Sequence, residues 1–362
     1  MPENFLQLSA KDKADALRVA ASASGRPGSL LEKDVWVVWA LSTLFESPLG
    51  SHLVFKGGTA LSKAYKAIRR FSEDVDLTYD IRALAPELVA NSPQGLDAIP
   101  PSRSQEKKWS DEIRKELLPA WLRDHAHPIV EAAMIGLAGV QSRVTESCIF
   151  IDYEPLVAPS RYALPSVMLE FGARSTGEPS SVRSVQCDIQ DFIQDVSFPV
   201  ANPRVMQIER IFWEKATAAH VYCVQGEAGL SQRFSRHFHD LVRLDEAGHL
   251  PGALKAREVA EAVAIHKNAF FAEKDAAGNR IDYLAAVRGG LALVPSGNAY
   301  DALRADYQRM VEERLFIDEA ESFELLMSKC AQIHEQLDRQ ADMERRAALA
   351  ELTAYDQELG LS

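Results

Sequence analysis

The feature that most constrains this chain is an ordered set of four elements predicted in its first quarter. Residues 53–55 are apolar and lead to Gly57-Gly58, which predicts a strand that enters a turn. Residues 59–69 follow a helical spacing of apolar side chains, and residues 72–80 alternate between polar and apolar ones. A strand, a glycine turn, a helix and a second strand in this order predict a fold built from both strands and helices, of the α+β class.

The rest of the chain divides into a mixed part and a helical part. Strands are predicted for 149–153, 166–173 and 185–189, and almost only helix is predicted from residue 203 onward. We therefore expect a small mixed sheet with helices in a domain at 1–200, followed by a mainly helical lobe at 201–362. Further predictions are helices at 9–24 and 30–45, capped by Ser9 and Ser29, a loop or insertion at 82–103, and a helix at 104–138.

The second predicted strand carries two acidic side chains on one face. Residues two apart on a strand point to the same side, so Ser72, Asp74 and Asp76 share a face. Neighbouring carboxylates repel each other unless a cation lies between them, and hard oxygen ligands suit Mg²⁺ or Mn²⁺. Glu170, on the strand predicted at 166–173, would supply a third carboxylate; the alternative is a solvated residue on a half-exposed strand.

The turn before this strand has the composition of a phosphate-binding loop. Gly57, Gly58 and Thr59 would expose backbone N–H groups at the start of a helix, where anions bind readily. The GxxxxGK[ST] pattern of a Walker loop is missing. By itself the turn is only weak evidence for phosphate binding. A glycine turn followed by a strand with paired carboxylates is much more specific evidence for a site that binds both phosphate and metal.

Charge and composition exclude several classes of protein. A formal net charge of −12 argues against a protein that coats nucleic acid, although a local basic patch remains possible. No apolar run approaches the roughly 18 residues of a membrane span, and no signal peptide is predicted, so we expect a cytoplasmic protein. The four cysteines lack zinc-site spacing. The acid-free stretch 55–70 is the candidate patch, or else a solvated helix face; its cations are Lys56, Lys63, Lys66, Arg69 and Arg70.

Taken together, these motifs resemble the AbiEii/AbiGii toxin family of nucleotidyltransferases, which includes the MenT-type toxins. The resemblance covers most of the chain and is nearly letter for letter in the first motif. The matching segments are LEKD (31–34), FKGGTALSKAY (55–65), RFSEDVDL (70–77), VMLEFGARSTGEP (167–179), FWEK (212–215) with RHFHDL (236–241), and LRADYQRM (303–310).

The resemblance implies a nucleotidyltransferase-fold core, a bacterial type IV toxin–antitoxin or phage-defence context, and a cognate antitoxin. It implies metal-dependent transfer of a nucleoside monophosphate from an NTP, and some relatives modify the acceptor end of tRNA. It also implies residue roles. Asp74, Asp76 and Glu170 would bind the metal; Gly57, Gly58, Thr59, Lys63, Arg70 and Ser72 would bind the nucleotide; Lys215 would contact the triphosphate, and Asp240 would support Lys215.

The residues give independent support for a pair between Lys215 and Asp240. On a helix Asp240 borders an apolar stripe that contains Leu241 and Leu244, where a charge is costly unless it is paired. A buried Lys215 would be a suitable partner; the alternative is two unrelated surface residues. The chain has His237 where many relatives carry the first Asp of an Arg-Asp-x-x-Asp pattern, which leaves the supporting carboxylate less certain.

Three functions remain compatible with the sequence. The first is transfer of a nucleoside monophosphate to an RNA hydroxyl, with the 3′ end of tRNA as the best candidate. The basic run at 55–70 and Arg233, Arg236 and Arg243 would then contact the RNA backbone. The second keeps the chemistry but uses a protein or small-molecule hydroxyl, which the net charge favours. The third is an inactive relative that acts as a binding protein, and the complete set of carboxylates argues against it.

Overall fold

The computed structural model describes residues 2–68, 70–72, 74–93, 95–158, 164–226, 233–313 and 315–358. The chain forms two compact units, one made of Met1–Gln207 with Val311–Glu319 and the other of Ile208–Met310 with Ala320–Ser362. The predicted division into domains at 200/201 stays a prediction.

The first unit is built on a mixed seven-stranded sheet, as the alternating segments predicted. Its strand order is β4-β5-β6-β3-β2-β11-β7, with β3 parallel to β6 and antiparallel to β2. Two further pairs, β1-β9 and β10-β8, lie outside it. The strands are β1 Glu3–Asn4, β2 Leu53–Lys56, β3 Asp74–Tyr79, β4 Val140–Val144, β5 Cys148–Tyr153, β6 Ser166–Gly172, β7 Ser180–Val182, β8 Val185–Gln186, β9 Val196–Ser197, β10 Val200–Ala201 and β11 Arg204–Met206.

The helices of this unit fall largely where the apolar spacing predicted them. Ser9 caps the first one by accepting a hydrogen bond from the Asp12 N–H, as expected. Residues 103–133 are helical throughout, with π-helical turns at Ile113–Leu117 and Leu122–Ala126. The α-helices are α1 Ala10–Ser24, α2 Gly28–Phe45, α3 Gly57–Lys63, α4 Ile81–Leu84, α5 Pro86–Val89, α6 Arg103–Glu112, α7 Leu118–Trp121 and α8 His127–Ala133.

Three local predictions were wrong. Ser29 is not a cap: Pro27 precedes the first turn of α2, and Ser29 is buried inside the helix. The helix predicted at 59–69 ends at Lys63, and Lys66 adopts a left-handed φ of 53°. The segment 82–103 is no plain loop, because it contains most of α4 and all of α5. The prediction of almost only helix from residue 203 onward is confirmed, apart from the three-residue strand β11 at its start.

The main core of this unit lies against the face of the sheet that carries the odd-numbered residues of β3 and β6. Val75 and Leu77 of β3 are fully buried. Tyr79 packs its ring against Trp121, with centroids 4.2 Å apart, and Trp121 also contacts Phe171 of β6. The alternate residues of β3 and β6 therefore point away from this core.

The second unit is helical. The indole N–H of Trp213 donates a hydrogen bond to the backbone carbonyl of Ala253, and the hydroxyl of Tyr222 donates one to the backbone carbonyl of Ala299. Among the described residues, no helix is both long and apolar enough to cross a membrane. The helices are α9 Ile208–Gln225, α10 Ser235–Glu246, α11 Leu250–Lys255, α12 Arg257–Phe270, α13 Tyr283–Ala285, α14 Asn298–Glu312 and α15 Phe323–Glu358.

Candidate functional site

Two parallel strands bring the predicted carboxylates to neighbouring positions. In the register of β3 and β6, Asp76 lies directly opposite Glu170, and Asp74 lies opposite Met168. The two aspartates are half-buried, and Glu170 is exposed. All three belong to the face of the sheet that points away from the core, which we call the carboxylate face.

The carboxylate face has the donor chemistry for a hard divalent cation, but its side chains do not form a closed cage. In the part of the chain that the structure describes, no three His, Cys, Asp or Glu side chains form a group that could hold a metal ion. Mg²⁺ does not require such a cage, because it is usually bound by one or two carboxylates together with water and substrate phosphates. The oxygen donors of Asp74, Asp76 and Glu170 fit this mode of binding.

The turn formed by Gly57 and Gly58 lies directly against the carboxylate face. Gly57 has a φ of 74°, and a Cβ atom there would lie 1.9 Å from Oδ2 of Asp76. A Cβ atom on Gly58 would lie 2.8 Å from Nη2 of Arg70 and 2.9 Å from Oγ of Ser72. Only a residue without a side chain permits this approach at Gly57. The structure therefore brings together five of the predicted site residues.

A hydrogen bond attaches the first turn of α3 to β3, the strand that carries Asp74 and Asp76. The hydroxyl of Thr59 donates to the backbone carbonyl of Asp74 over 2.5 Å, and Thr59 is buried. Its hydroxyl thus links the start of α3 to the start of β3. A nucleotide-binding role for Thr59 stays a prediction.

Lys63 lies in a buried ion cluster rather than on the surface. Its ammonium group is 2.6 Å from Oδ1 of Asp34 and 2.5 Å from Oδ1 of Asp188, and its side chain is 9% exposed. Arg26 also pairs with Asp188. Burial opposes the charge of Lys63, but the two carboxylates outweigh this effect and raise its pKa. We call these four residues the Lys63 ion cluster.

The basic run at 55–70 does not form a continuous surface patch. Arg70 is only 3% exposed, and its Nη1 donates to the Phe71 carbonyl. Lys66 is exposed, whereas Arg69 lies outside the described residues. Arg243, which we considered for RNA contact, forms ion pairs with Glu246 and Glu321.

Two residues beside the carboxylates were not assigned to the metal or nucleotide site, although Lys56 was one of the cations of the candidate RNA patch. Lys56 of β2 lies opposite Asp76 in the antiparallel register, on the same face of the sheet. Cys148 of β5 lies opposite Glu170, and burial, together with the charges of Glu170 and Asp74, raises the pKa of its thiol. Only the register of the strands identifies these neighbours, and no local sequence signal carries it.

In the second unit the structure contains the predicted ion pair between Lys215 and Asp240. Nζ of Lys215 in α9 lies 2.8 Å from Oδ2 of Asp240 in α10, and their side chains are 9% and 0% exposed. Nδ1 of His239 is 3.3 Å from the other carboxylate oxygen. The prediction that Asp240 is buried and needs Lys215 as its partner is confirmed, whereas their roles toward a nucleotide stay predictions.

Comparison with known proteins identifies the family. MenT4, the nucleotidyltransferase toxin Rv2826c from Mycobacterium tuberculosis H37Rv, is 17% identical, with 93% of this chain and 99% of that chain covered and a TM-score of 0.32. No curated protein matches the chain. The family model described as Nucleotidyl transferase AbiEii toxin, Type IV TA system, matches residues 39–329, a range that contains all the predicted site residues. The chain therefore belongs to the AbiEii family of nucleotidyltransferase toxins of type IV toxin–antitoxin systems.

Proposed function

We propose that this toxin transfers a nucleoside monophosphate from an NTP to an acceptor hydroxyl, with the carboxylate face as its active site. The observation that supports this most directly is the register of β3 and β6, which sets Asp76 opposite Glu170 with Asp74 two residues away. The Gly-Gly turn lies against the same carboxylate, so a phosphate binder and a metal-binding face adjoin each other.

Asp74, Asp76 and Glu170 would hold Mg²⁺ or Mn²⁺. When bound, such an ion would make the acceptor hydroxyl a better nucleophile and neutralise charge on the leaving pyrophosphate. The hydroxyl oxygen forms a bond to the α-phosphorus, the bond from that phosphorus to the pyrophosphate oxygen breaks, and the hydroxyl proton passes to solvent.

The residues around the turn would bind and orient the triphosphate. The backbone N–H groups of Gly57 and Gly58 donate to phosphate oxygens, and Arg70 and Ser72, which lie at Gly58, extend this set of donors. Lys56 adds a cation on the carboxylate face. For Lys215 we propose contact with the triphosphate, supported by the family resemblance and by the buried carboxylate of Asp240 that orients its ammonium group.

For the acceptor we propose RNA, with the 3′ end of tRNA as the best candidate. This choice is supported by the family resemblance and by the exposed cation of Lys66, three residues after the last residue of α3. The observation that favours a protein or small-molecule acceptor is the burial of Lys63 and Arg70, which removes two cations of the candidate patch from contact with an RNA backbone in a protein of net charge −12. Family membership also supports a cognate antitoxin and a cytoplasmic location.

Labelled transfer into a cell lysate tests the reaction and the acceptor together. The protein is incubated with Mg²⁺, lysate and each of the four α-³²P-labelled NTPs in turn, and the products are treated with nuclease or with protease. We expect a nuclease-sensitive product that Asp76→Asn does not form. A protease-sensitive product would instead identify a protein as the acceptor. Absence of any product, together with no binding of NTP in calorimetry, would contradict the proposed activity.

A further inference from the structure

Lys63 is the last residue of α3, the short helix that begins with the Gly-Gly turn. Its ammonium group joins two carboxylates from distant parts of the chain, Asp34 of α2 and Asp188. The backbone N–H of Asp188 also donates to Oδ2 of Asp34 over 2.6 Å, and Arg26 pairs with Asp188. The cluster therefore contains two cations and two anions that neutralise one another.

The two ends of α3 are held by different contacts. At the first turn, the hydroxyl of Thr59 donates to the Asp74 carbonyl, and Gly57 lies against the Asp76 carboxylate. At the last residue, Lys63 is attached to α2 and to the segment that contains Asp188. Because α3 has only seven residues, a shift at Lys63 is transmitted directly to the Gly-Gly turn.

We propose that Lys63 is a positioning residue, which sets the place of the Gly-Gly turn against the carboxylate face through the Lys63 ion cluster. Its ammonium group is engaged by Asp34 and Asp188 and does not bind the nucleotide. The effect on the turn follows from the geometry of α3 alone, whereas the effect on nucleotide affinity rests on the proposed function.

The electrostatics of the cluster provide a way to separate positioning from binding. Removal of Lys63 alone leaves Asp34 buried beside a second carboxylate without the cation that compensates both. A second change, Asp34→Asn, removes that excess negative charge and keeps an oxygen that accepts from the Asp188 N–H. Asp188 keeps its pair with Arg26. If Lys63 bound the nucleotide directly, Asp34→Asn would not restore the nucleotide affinity lost in Lys63→Met.

The experiment compares Lys63→Met, Lys63→Met/Asp34→Asn and the matched control Lys108→Met, which removes an exposed lysine from helix α6 of the same unit. Hydrogen exchange followed by mass spectrometry reports on peptides that cover α3, with a peptide from α12 as a reference for general loss of stability. Calorimetry with Mg²⁺ and each of the four NTPs measures nucleotide affinity.

We expect Lys63→Met to speed exchange in α3 relative to α12 and to weaken NTP affinity about tenfold to a hundredfold, because a small displacement of a binding group has effects of this size. The double variant should return both quantities to within about threefold of the original protein, a difference below 1 kcal/mol. Lys108→Met should change neither. If Lys63→Met does not fold, the double variant alone carries the comparison.

Two results would overturn the proposal. One is a double variant with restored exchange in α3 but NTP affinity still reduced about tenfold or more, which would assign Lys63 to the nucleotide. The other is unchanged exchange in α3 of Lys63→Met. If the original protein binds no NTP, the proposed function fails, and the exchange of α3 still decides whether Lys63 positions the turn.

Discussion

The carboxylates predicted for the site are held in opposite ways in the two compact units. In the first, Asp74, Asp76 and Glu170 occupy neighbouring positions on the outer face of a sheet, where they are half-buried or exposed. In the second, Asp240 is fully buried, and the ammonium group of Lys215 lies 2.8 Å from its carboxylate. Like charges on a partly exposed face can accept a cation from outside the chain, and the charge of Asp240 is balanced by a buried lysine.

This difference predicts opposite consequences when a carboxylate is neutralised, and the first prediction has the largest effect. Asp74→Asn or Asp76→Asn should reduce nucleotidyl transfer about a thousandfold or more, because metal ions contribute several kcal/mol to such reactions. The free energy of unfolding should stay equal or rise slightly, because repulsion on the carboxylate face decreases. Labelled-NTP turnover and urea unfolding measure the two effects.

The control for this prediction is Glu146→Gln, which neutralises an exposed carboxylate between β4 and β5 and should change neither quantity. Asp240→Asn should instead lower the free energy of unfolding by about 3–5 kcal/mol, because Lys215 is left buried without its partner. If Asp76→Asn and Asp240→Asn destabilise the protein equally, the contrast between the two units does not hold.

The second prediction asks whether Lys215 acts only within its own ion pair. Lys215→Ala should slow transfer about a hundredfold, by analogy with the loss of one charge-stabilising donor, and Lys215→Arg should rescue it poorly. The alanine variant also destabilises the fold, so rate alone does not identify the cause. Lys215→Met/Asp240→Asn removes both charges and should recover most of the stability. Recovery of the rate as well would show that Lys215 has only a structural role.

The third prediction concerns the close approach of the Gly-Gly turn to the carboxylate face. Gly57 and Gly25 have nearly the same left-handed φ, 74° and 72°, but a Cβ atom at Gly25 meets nothing within 4 Å, whereas one at Gly57 meets Asp76. Either change to Ala should cost roughly 1–2 kcal/mol of stability from its φ. Only Gly57→Ala should displace Asp76 and lower NTP affinity and transfer. Equal activity of the two variants would show that the approach at Gly57 is unimportant.

The sequence predicted the features that depend on local periodicity. Alternation placed Asp74 and Asp76 on one face of a strand, and the helical spacing of residues 237–244 placed Asp240 against apolar neighbours, where it requires a partner. Both inferences hold because the period of a strand or a helix decides which side chains share a face.

Features that depend on contacts between distant segments were not predictable in the same way. Lys63 looked like part of a basic surface, but its partner Asp188 lies 125 residues away, and no local pattern reveals it. Lys56 lies beside Asp76 because of the register between β2 and β3, which the side-chain pattern of one strand does not encode. Helix α3 ends at Lys63, before its predicted limit, and Lys66 adopts a left-handed φ. The apolar spacing of the segment does not reveal this change of backbone conformation.

The last prediction is a pH dependence of stability with opposite sign in the two units. In the first, burial raises the pKa of Glu32 from 4.5 to about 7, although its carboxylate accepts a hydrogen bond from the Leu156 N–H. The folded unit thus retains this proton between about pH 4.5 and 7 while the unfolded chain has lost it. Because the folded state binds the extra proton, the stability of this unit should fall as pH rises through that range.

In the second unit, burial lowers the pKa of His220 from 6.5 to about 4, and its Nδ1 accepts a hydrogen bond from the Ala292 N–H. The unfolded chain takes up the proton first, so the stability of this unit should fall as pH decreases from about 6.5 to about 4. Hydrogen exchange of buried peptides, measured between pH 4 and 8 and corrected for the intrinsic rate, resolves the two units. Glu32→Gln should flatten only the first dependence and His220→Gln only the second. If either change flattens both, the two units unfold as one, and their electrostatics are not separable.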